Sequence, residues 1–529
     1  VLALLLYALF PHVNEGSFAE PFSILLPNLA DAGLIDVTLH SLALSLSVTL
    51  LSLVLAMPLA FWRGYLSSRM GRMWDILFLI PFLIPPYIGS LAWMQLLQVH
   101  GFVEQLFGFN FAGFLYSFPG MVTVMALHLF PMMYFALANA FRLIGNRYAD
   151  VARVFGGRPW PIMSRIYLPL LLPALLSSGL IIFILTIEEF GTPEFLGSRF
   201  GFEVIVTAIH AKFSDWPIDL PGAAVLSLIL IFIAFFAYQL HHYISERFSS
   251  SLDQPSMNTG LKVHSWIRTL LIHALFAGIF FVTVFMPISS IALTAFMDTL
   301  SGGLSPDNFS LGRVVQLFSH DSDAWTALTT SLTLALLAAL STVTIAVLVA
   351  FTSVRMRSRG IQLLDFLSIL PNAIPGMAIA VGLILTWNQR FWPVTPYNTS
   401  MILLIAYVCL TLPYPIRMVT AALRQMPRSL DDAAYISGAG EVVLILRILA
   451  PLLAPIALAS GFIVFAISTR ELVSSLMLAP PGVETVATYV FHQFDQGSIN
   501  DGMAMSLVAI LVSGSIIAVG QNLQKSHSF

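Results

Sequence analysis

Four ionisable residues lie inside long apolar runs. Glu188 and Glu189 stand in "FILTIEEFGTPEFLG", and Arg470 and Glu471 stand in "FAISTRELVSSLML". A charge is costly in hydrocarbon, so such residues are functional candidates by default. Three roles remain open for them. They could line an outer vestibule for a charged solute, form a structural ion pair or helix-end contact (Arg470 with a glutamate, for example), or reach the outer interface. Covalent chemistry finds no support. The chain has no GxxxxGK[ST], and "GGRPW" lacks the lysine and hydroxyl of a phosphate cradle. It has no HExxH and no nucleophile-base pairing. The single Cys409 excludes a disulfide framework or a CxxC metal site. His128 and His210 read as packing or interfacial groups, and the 20 methionines as apolar filler. The N-x-S matches at Asn308 and Asn398 carry little weight. No metal-ligand set emerges, and no bound cofactor is expected.

The elements that hold these residues are membrane spans. Of 529 residues, 58% are hydrophobic and only 10% charged, against about 25% charged in soluble domains. A net charge of -3 gives no footprint for nucleic acid. Spanning a bilayer takes about 20 apolar residues. The chain offers eleven such stretches and a truncated first one, near 1–12, 40–61, 74–97, 118–141, 173–190, 221–243, 268–296, 326–351, 364–387, 399–421, 455–478 and 503–521. The opening "VLALLLYALFP" reads as the remainder of a longer first helix rather than a signal peptide, because no basic n-region precedes it and no cleavage site follows.

The chain also repeats itself. A shift of 282 residues lays "YADVARVFGGRPWPIMSRIYLPLLLP" on "LDDAAYISGAGEVVLILRILAPLLAP" and brings Glu189 onto Glu471. Further upstream a shift of 290 lays "IPFLIPPYIG" on "LPNAIPGMAI"; the outer loop around 98–117 absorbs the difference. Two halves of six spans follow, 1–243 and 267–529, joined by a polar linker at 244–266. An even number of spans inserts both halves in one orientation, giving parallel repeats about an axis along the membrane normal. An acidic residue at matching points of both halves would lie near that axis. Lys and Arg collect in alternate loops, 19 of 24 by count. That asymmetry places the repeated polar segments and the C-terminus in the cytoplasm.

The duplicated pattern, D-x-A-x-x-x-G followed by nine residues and I-x-x-P, lies between the fourth and fifth spans of each half. It is carried by Asp150, Ala152, Gly156, Ile166 and Pro169, and again by Asp432, Ala434, Gly438, Ile448 and Pro451. It resembles the EAA loop of binding-protein-dependent ABC importer permeases, here spanning 143–172 and 422–454. Asp replaces the motif's usual Glu in both halves, and Val151 breaks the first alanine pair. Glycine would stop a short helix, Asp would sit at its N-terminus accepting backbone N–H bonds, and the prolines would open the next span. Pro159 and Pro161 should make the first loop's second segment start differently from its counterpart.

The resemblance implies an all-α polytopic fold of the type I importer permease kind. It also implies a pore subunit without catalysis of its own, and a bacterial inner-membrane location. Two copies of an ABC ATPase would dock on the loops and carry ATP and Mg, and a periplasmic binding protein would deliver the cargo. "EEFGTPEFLG" and the fused twelve-span layout are similar to ferric iron permeases of the FbpB/SfuB kind. Thiamine, phosphonate and sugar-phosphate permeases are related alternatives. A secondary transporter would show a midplane coupling site, which these four residues do not supply, and a membrane enzyme would show a catalytic constellation.

Overall fold

The computed structural model describes the chain apart from residues 11, 14–16, 19, 30, 65, 67, 146, 250–265, 320–321, 356–366, 369, 390–391 and 527–529. Most of the 244–266 linker, and the loop arginines at 357, 359 and 390 with Lys262, therefore lie outside the described residues. Among the described residues the protein is helical, with one isolated antiparallel bridge between Met297 and Phe309.

Among the described residues, eight helices are long and apolar enough to cross a membrane: Ala32–Arg63, Phe118–Ile144, Trp160–Ile187, Leu220–Arg247, Trp266–Phe296, Asp323–Arg355, Glu441–Ser468 and Ile499–Ile516. Two bent pairs bring the number to 10, Arg69–Phe82 with Pro86–Phe107 at 92° and Ser400–Thr411 with Pro413–Gln425 at 45°. The other two expected spans are Leu2–Leu9 and Gly376–Trp387, apolar but short. All twelve expected positions thus carry helix, and several differ from a straight rod.

Proline explains the breaks. The third span stops in a 3₁₀ turn, Ile80–Leu83, and restarts at Pro86; the ninth has the same turn at Leu370–Ala373 and restarts at Gly376. Pro85 (φ -56°, ψ 141°) and Pro375 (φ -54°, ψ 142°) adopt one conformation, and the turns close with matching bonds, Ile84 N–H to Pro81 and Ile374 N–H to Pro371, both 3.2 Å. A ring-locked φ without an N–H ends a helix at both places.

The fifth and eleventh spans correct the expected boundaries. Helix begins at Pro159 and at Glu441, so the segments before the LP steps are already helical. The two starts coincide under the 282-residue shift, so Pro159 and Pro161 do not displace the first, since proline is tolerated in a first turn. Pro169 and Pro451 therefore lie inside continuous helices. Each follows a π-helical stretch, Met163–Tyr167 and Leu444–Leu449, with equivalent wide bonds from Leu168 N–H to Met163 and Ala450 N–H to Ile445. One extra residue in the turn lets the proline ring clear the preceding carbonyls.

The halves interlock. Trp74 Nε1 donates to His273 Nδ1 at 3.1 Å, Ser290 Oγ donates to the Ala92 carbonyl at 2.9 Å, and Arg417 donates to the Tyr238 hydroxyl. One apolar core runs through both, from Leu44 and Phe130 to Ile291 and Met503.

Candidate functional site

Two regions gather the candidate residues. The first is the pair of short helices between the fourth and fifth spans of each half, Arg147–Val154 and Ser429–Ile436. Both end in the same way. Gly156 (φ +80°) and Gly438 (φ +81°) take the left-handed conformation that glycine adopts without steric cost. Gly156 N–H bonds the Arg153 carbonyl at 2.9 Å, and Gly157 N–H bonds the Ala152 carbonyl at 2.8 Å. In the second half Gly438 bonds Tyr435 at 3.0 Å and Ala439 bonds Ala434 at 3.0 Å. These are two Schellman stops, with Ala152 and Ala434 as the far acceptors.

Asp150 and Asp432 lie in the first turns, as expected. Neither caps a backbone N–H among the described residues. Asp150 instead pairs with Arg153 at 3.2 Å, on the surface. The buried carboxylate is Asp431, 2.7 Å from Arg355 at the end of the eighth span; their side chains are 10% and 8% exposed. The spacing of the motif gave no sign of that anchor.

Each short helix is bound to its neighbours by a small core. Ala140, Ile162, Tyr167 and Leu171 form one, and their shifted equivalents Ala422, Leu444, Leu449 and Leu453 belong to the other. The tips carry apolar side chains in the open: Val154 is 84% exposed, Phe155 85% and Ile436 88%. Each short helix is therefore packed at its root and carries an uncovered apolar tip.

The second region joins the ends of the fifth and eleventh spans. Glu189 accepts from Thr192 N–H at 2.9 and 3.1 Å, and Glu471 accepts from Ser474 N–H at 3.0 Å. The two glutamates do the same work, holding the start of the short helix that follows. Arg470 donates to the Phe82 carbonyl in the break of the third span. Among the described residues it makes no ion pair with a glutamate. The Glu188 side chain makes no hydrogen bond or ion pair with any described residue, while its backbone N–H bonds the Ile184 carbonyl at 3.2 Å. Gly191 packs tightly beside them, because a Cβ there would fall 2.3 Å from the Cβ of Tyr87.

Beyond these caps the two halves keep matching bonds. Ile205 N–H donates to Ser41 Oγ at 2.8 Å, and Val486 N–H donates to Ser331 Oγ at 2.7 Å. The segments also meet each other through Phe195 and Phe491, 5.4 Å between ring centroids. A cavity of about 100 Å³ lies behind Glu189, lined also by Ser90, Trp93, His128 and Thr192. Nearby, burial and the carboxylates of Glu203, Asp495 and Asp215 push the Glu194 carboxyl up from its ordinary range. His210 packs against Phe190 with the rings tilted at 57° and centroids 5.0 Å apart. Among the described residues no three His, Cys, Asp or Glu side chains form a group that could hold a metal ion.

The sequence reasoning overlooked the Arg63, Asp75 and Tyr134 network. Arg63 bonds Asp75 at 2.7 to 3.1 Å, and Tyr134 donates to the same carboxylate at 2.7 Å. An acid at the edge of an apolar run, twelve residues after an arginine, was the available signal.

Comparison with known proteins decides the class. The family profile of the binding-protein-dependent transport system inner membrane component matches residues 19–250 and 342–528. The chain belongs to this family. The permease is therefore a multi-pass membrane component of a transport system served by a binding protein. It is 27% identical over 498 residues to the ferric transport system permease protein FbpB of Actinobacillus pleuropneumoniae, covering 92% of this chain and 71% of that protein. It is 22% identical over 452 residues to the Fe(3+)-transport system permease protein FbpB 2 of Haemophilus influenzae, covering 83% of this chain and 80% of the relative. The molybdenum transport system permease protein ModB of Azotobacter vinelandii is 27% identical over 219 residues, which are 40% of this permease and 94% of ModB.

Proposed function

We propose that this permease forms the pathway of an ATP-driven importer for ferric iron. The observation that carries the coupling part is the duplicated lever. Two short helices end in the same left-handed glycine, are rooted in matching cores and bear uncovered apolar tips. A pair of equivalent handles fits a pair of equivalent motors, so two copies of an ABC ATPase occupy them, one per half. ATP and Mg belong to those subunits. The arginine asymmetry supports a cytoplasmic position for both levers and for the C-terminus, in a bacterial inner membrane.

Iron is supported by the near full-length likeness to ferric permeases, against a likeness to the molybdenum permease that spans only one half's length. Recognition falls to the binding protein, and the permease receives what it delivers. ATP closure of the motors draws the levers together and opens the pathway outward; hydrolysis resets it.

Co-purification tests the motor. The tagged permease should retain two ATPase subunits per chain, and substituting Phe155 and Ile436 together by Asp should release them while leaving the permease folded. An unchanged ATPase content in that variant contradicts the docking assignment.

A further inference from the structure

Each half's second span ends in an arginine, and the two arginines hold different partners. Arg63 closes Ala32–Arg63 and bonds Asp75, near the start of the third span, at 2.7 to 3.1 Å. Tyr134 of the fourth span donates to the same carboxylate at 2.7 Å. The second span is thereby fastened to the spans of its own half. Arg355 closes Asp323–Arg355 and pairs instead with Asp431 on the short loop helix, at 2.7 Å. It also donates to the Met426 carbonyl at 3.4 Å, and Arg428 returns a bond to the Val354 carbonyl at 3.2 Å. Asp365, the counterpart of Asp75 under the 290-residue shift, lies outside the described residues.

The first short helix has no ion pair to the second span among the described residues. Ala149 stands where the second half has Asp431. Its root is held from the fifth span, where Tyr167 donates to the Gly145 carbonyl at 3.0 Å. The counterpart of Tyr167 is Leu449, which has no donor to give. The small cores repeat the difference. Ala350 and Phe351 of the eighth span are buried beneath the second short helix. The buried residues beneath the first come from the fourth span, the fifth span and the short helix itself, and the second span adds the partly buried Met57. Parting Arg355 from Asp431 would leave two nearly buried charges uncompensated, so that joint resists opening.

We infer that the two levers drive different helices. The second lever and the eighth span move as one body, with Arg355, Asp431 and Arg428 as positioning residues, whereas the first lever moves with the fifth span and shifts against the second. The eighth span is 33 residues long, about 50 Å at the helical rise. Towards its far end Ser331 accepts from Val486 N–H at 2.7 Å. A displacement at the second lever is thus carried along one helix to the segment beyond the eleventh span. This inference rests on the proposed ATP-driven cycle.

The test uses the permease with its ATPase and binding protein in lipid nanodiscs, in a Cys409→Ser background. Spin labels go at equivalent exposed positions, Leu50→Cys with Tyr148→Cys in the first half and Leu340→Cys with Leu430→Cys in the second. A non-hydrolysable ATP analogue should change the first distance by about 2 Å or more, the scale of helix shifts in switching proteins, and leave the second unchanged. Equal changes in both pairs, or a larger change in the second, overturn the assignment. Independently, Arg355→Met with Asp431→Leu should melt near the parental temperature, yet let the second distance change as the first does and lower uptake per ATP hydrolysed by about fivefold or more. Parental distances and parental uptake in that variant overturn the role of the ion pair. A parent that takes up no cargo with ATP removes the importer reading; equal distance changes beside intact parental uptake remove the unequal wiring alone.

Discussion

Arg470 of the second half donates to the carbonyl of Phe82 in the first. Two consecutive prolines leave that carbonyl without a donor of its own helix, and a side chain encoded 388 residues later supplies one. The break in the third span is therefore completed only when both halves are in place. A buried carbonyl without a donor costs about 1–3 kcal/mol, which makes the joint between halves specific as well as apolar.

Glycine 191 is required by the close approach of the third span. A methyl group at this position would lie 2.3 Å from Tyr87 Cβ and 3.1 Å from its Cα. Gly191→Ala should lower stability by about 1–3 kcal/mol, the usual range for an overpacked core. Thermal melting in detergent checks it, and an unchanged midpoint contradicts the packing described.

Arg355 and Asp431 fasten the second lever to the eighth span, and both are nearly fully buried. Arg355→Ala leaves an uncompensated buried carboxylate and should cost about 3–5 kcal/mol. The double variant Arg355→Met with Asp431→Leu should recover most of that loss, because a buried ion pair can be replaced by apolar groups at little cost. Melting curves of the three proteins decide the point.

Glu189 and Glu471 make equivalent helix-start bonds. Their alanine variants should each lose about 0.5–2 kcal/mol, by similar amounts, as for other lost N-terminal caps. Glutamine keeps an acceptor oxygen and should lose less. If either Gln variant also retains full uptake, the carboxylate charge at that position serves the fold and not the pathway.

Gly156 and Gly438 hold backbone angles that proline cannot adopt, and their N–H groups are used. Gly156→Pro or Gly438→Pro should leave membrane-inserted protein at parental level but uncouple ATP hydrolysis from uptake. Alanine, strained by about 1–2 kcal/mol in this conformation, should give a partial loss. The check is ATPase rate and uptake measured on one preparation.

Much of this was legible in the residues. The apolar runs located the eight long helices and the two bent pairs and marked the two short apolar helices, and the repeat located both short loop helices with their glycine stops, because a positive φ has a strong residue signature. The prolines were legible as interruptions but misread as starts: Pro169 and Pro451 sit inside helices that widen ahead of them, an adjustment that residue identity does not announce. Asp150 and Asp432 were placed in the right turn and given the wrong partners, since side-chain bonds depend on neighbours distant in sequence. The same is true of Arg355 with Asp431 and of Arg470 with Phe82. Their donors and acceptors are separated by 76 and 388 residues, and no local spacing links them.

The most direct measurement is uptake by proteoliposomes holding the permease, its ATPase and its binding protein. With ATP on the lever side, ferric iron should accumulate, and thiamine, molybdate and a phosphonate should stay at background. Omitting either partner or ATP should abolish accumulation. Iron entry without ATPase, or accumulation of another cargo with iron at background, would contradict the account.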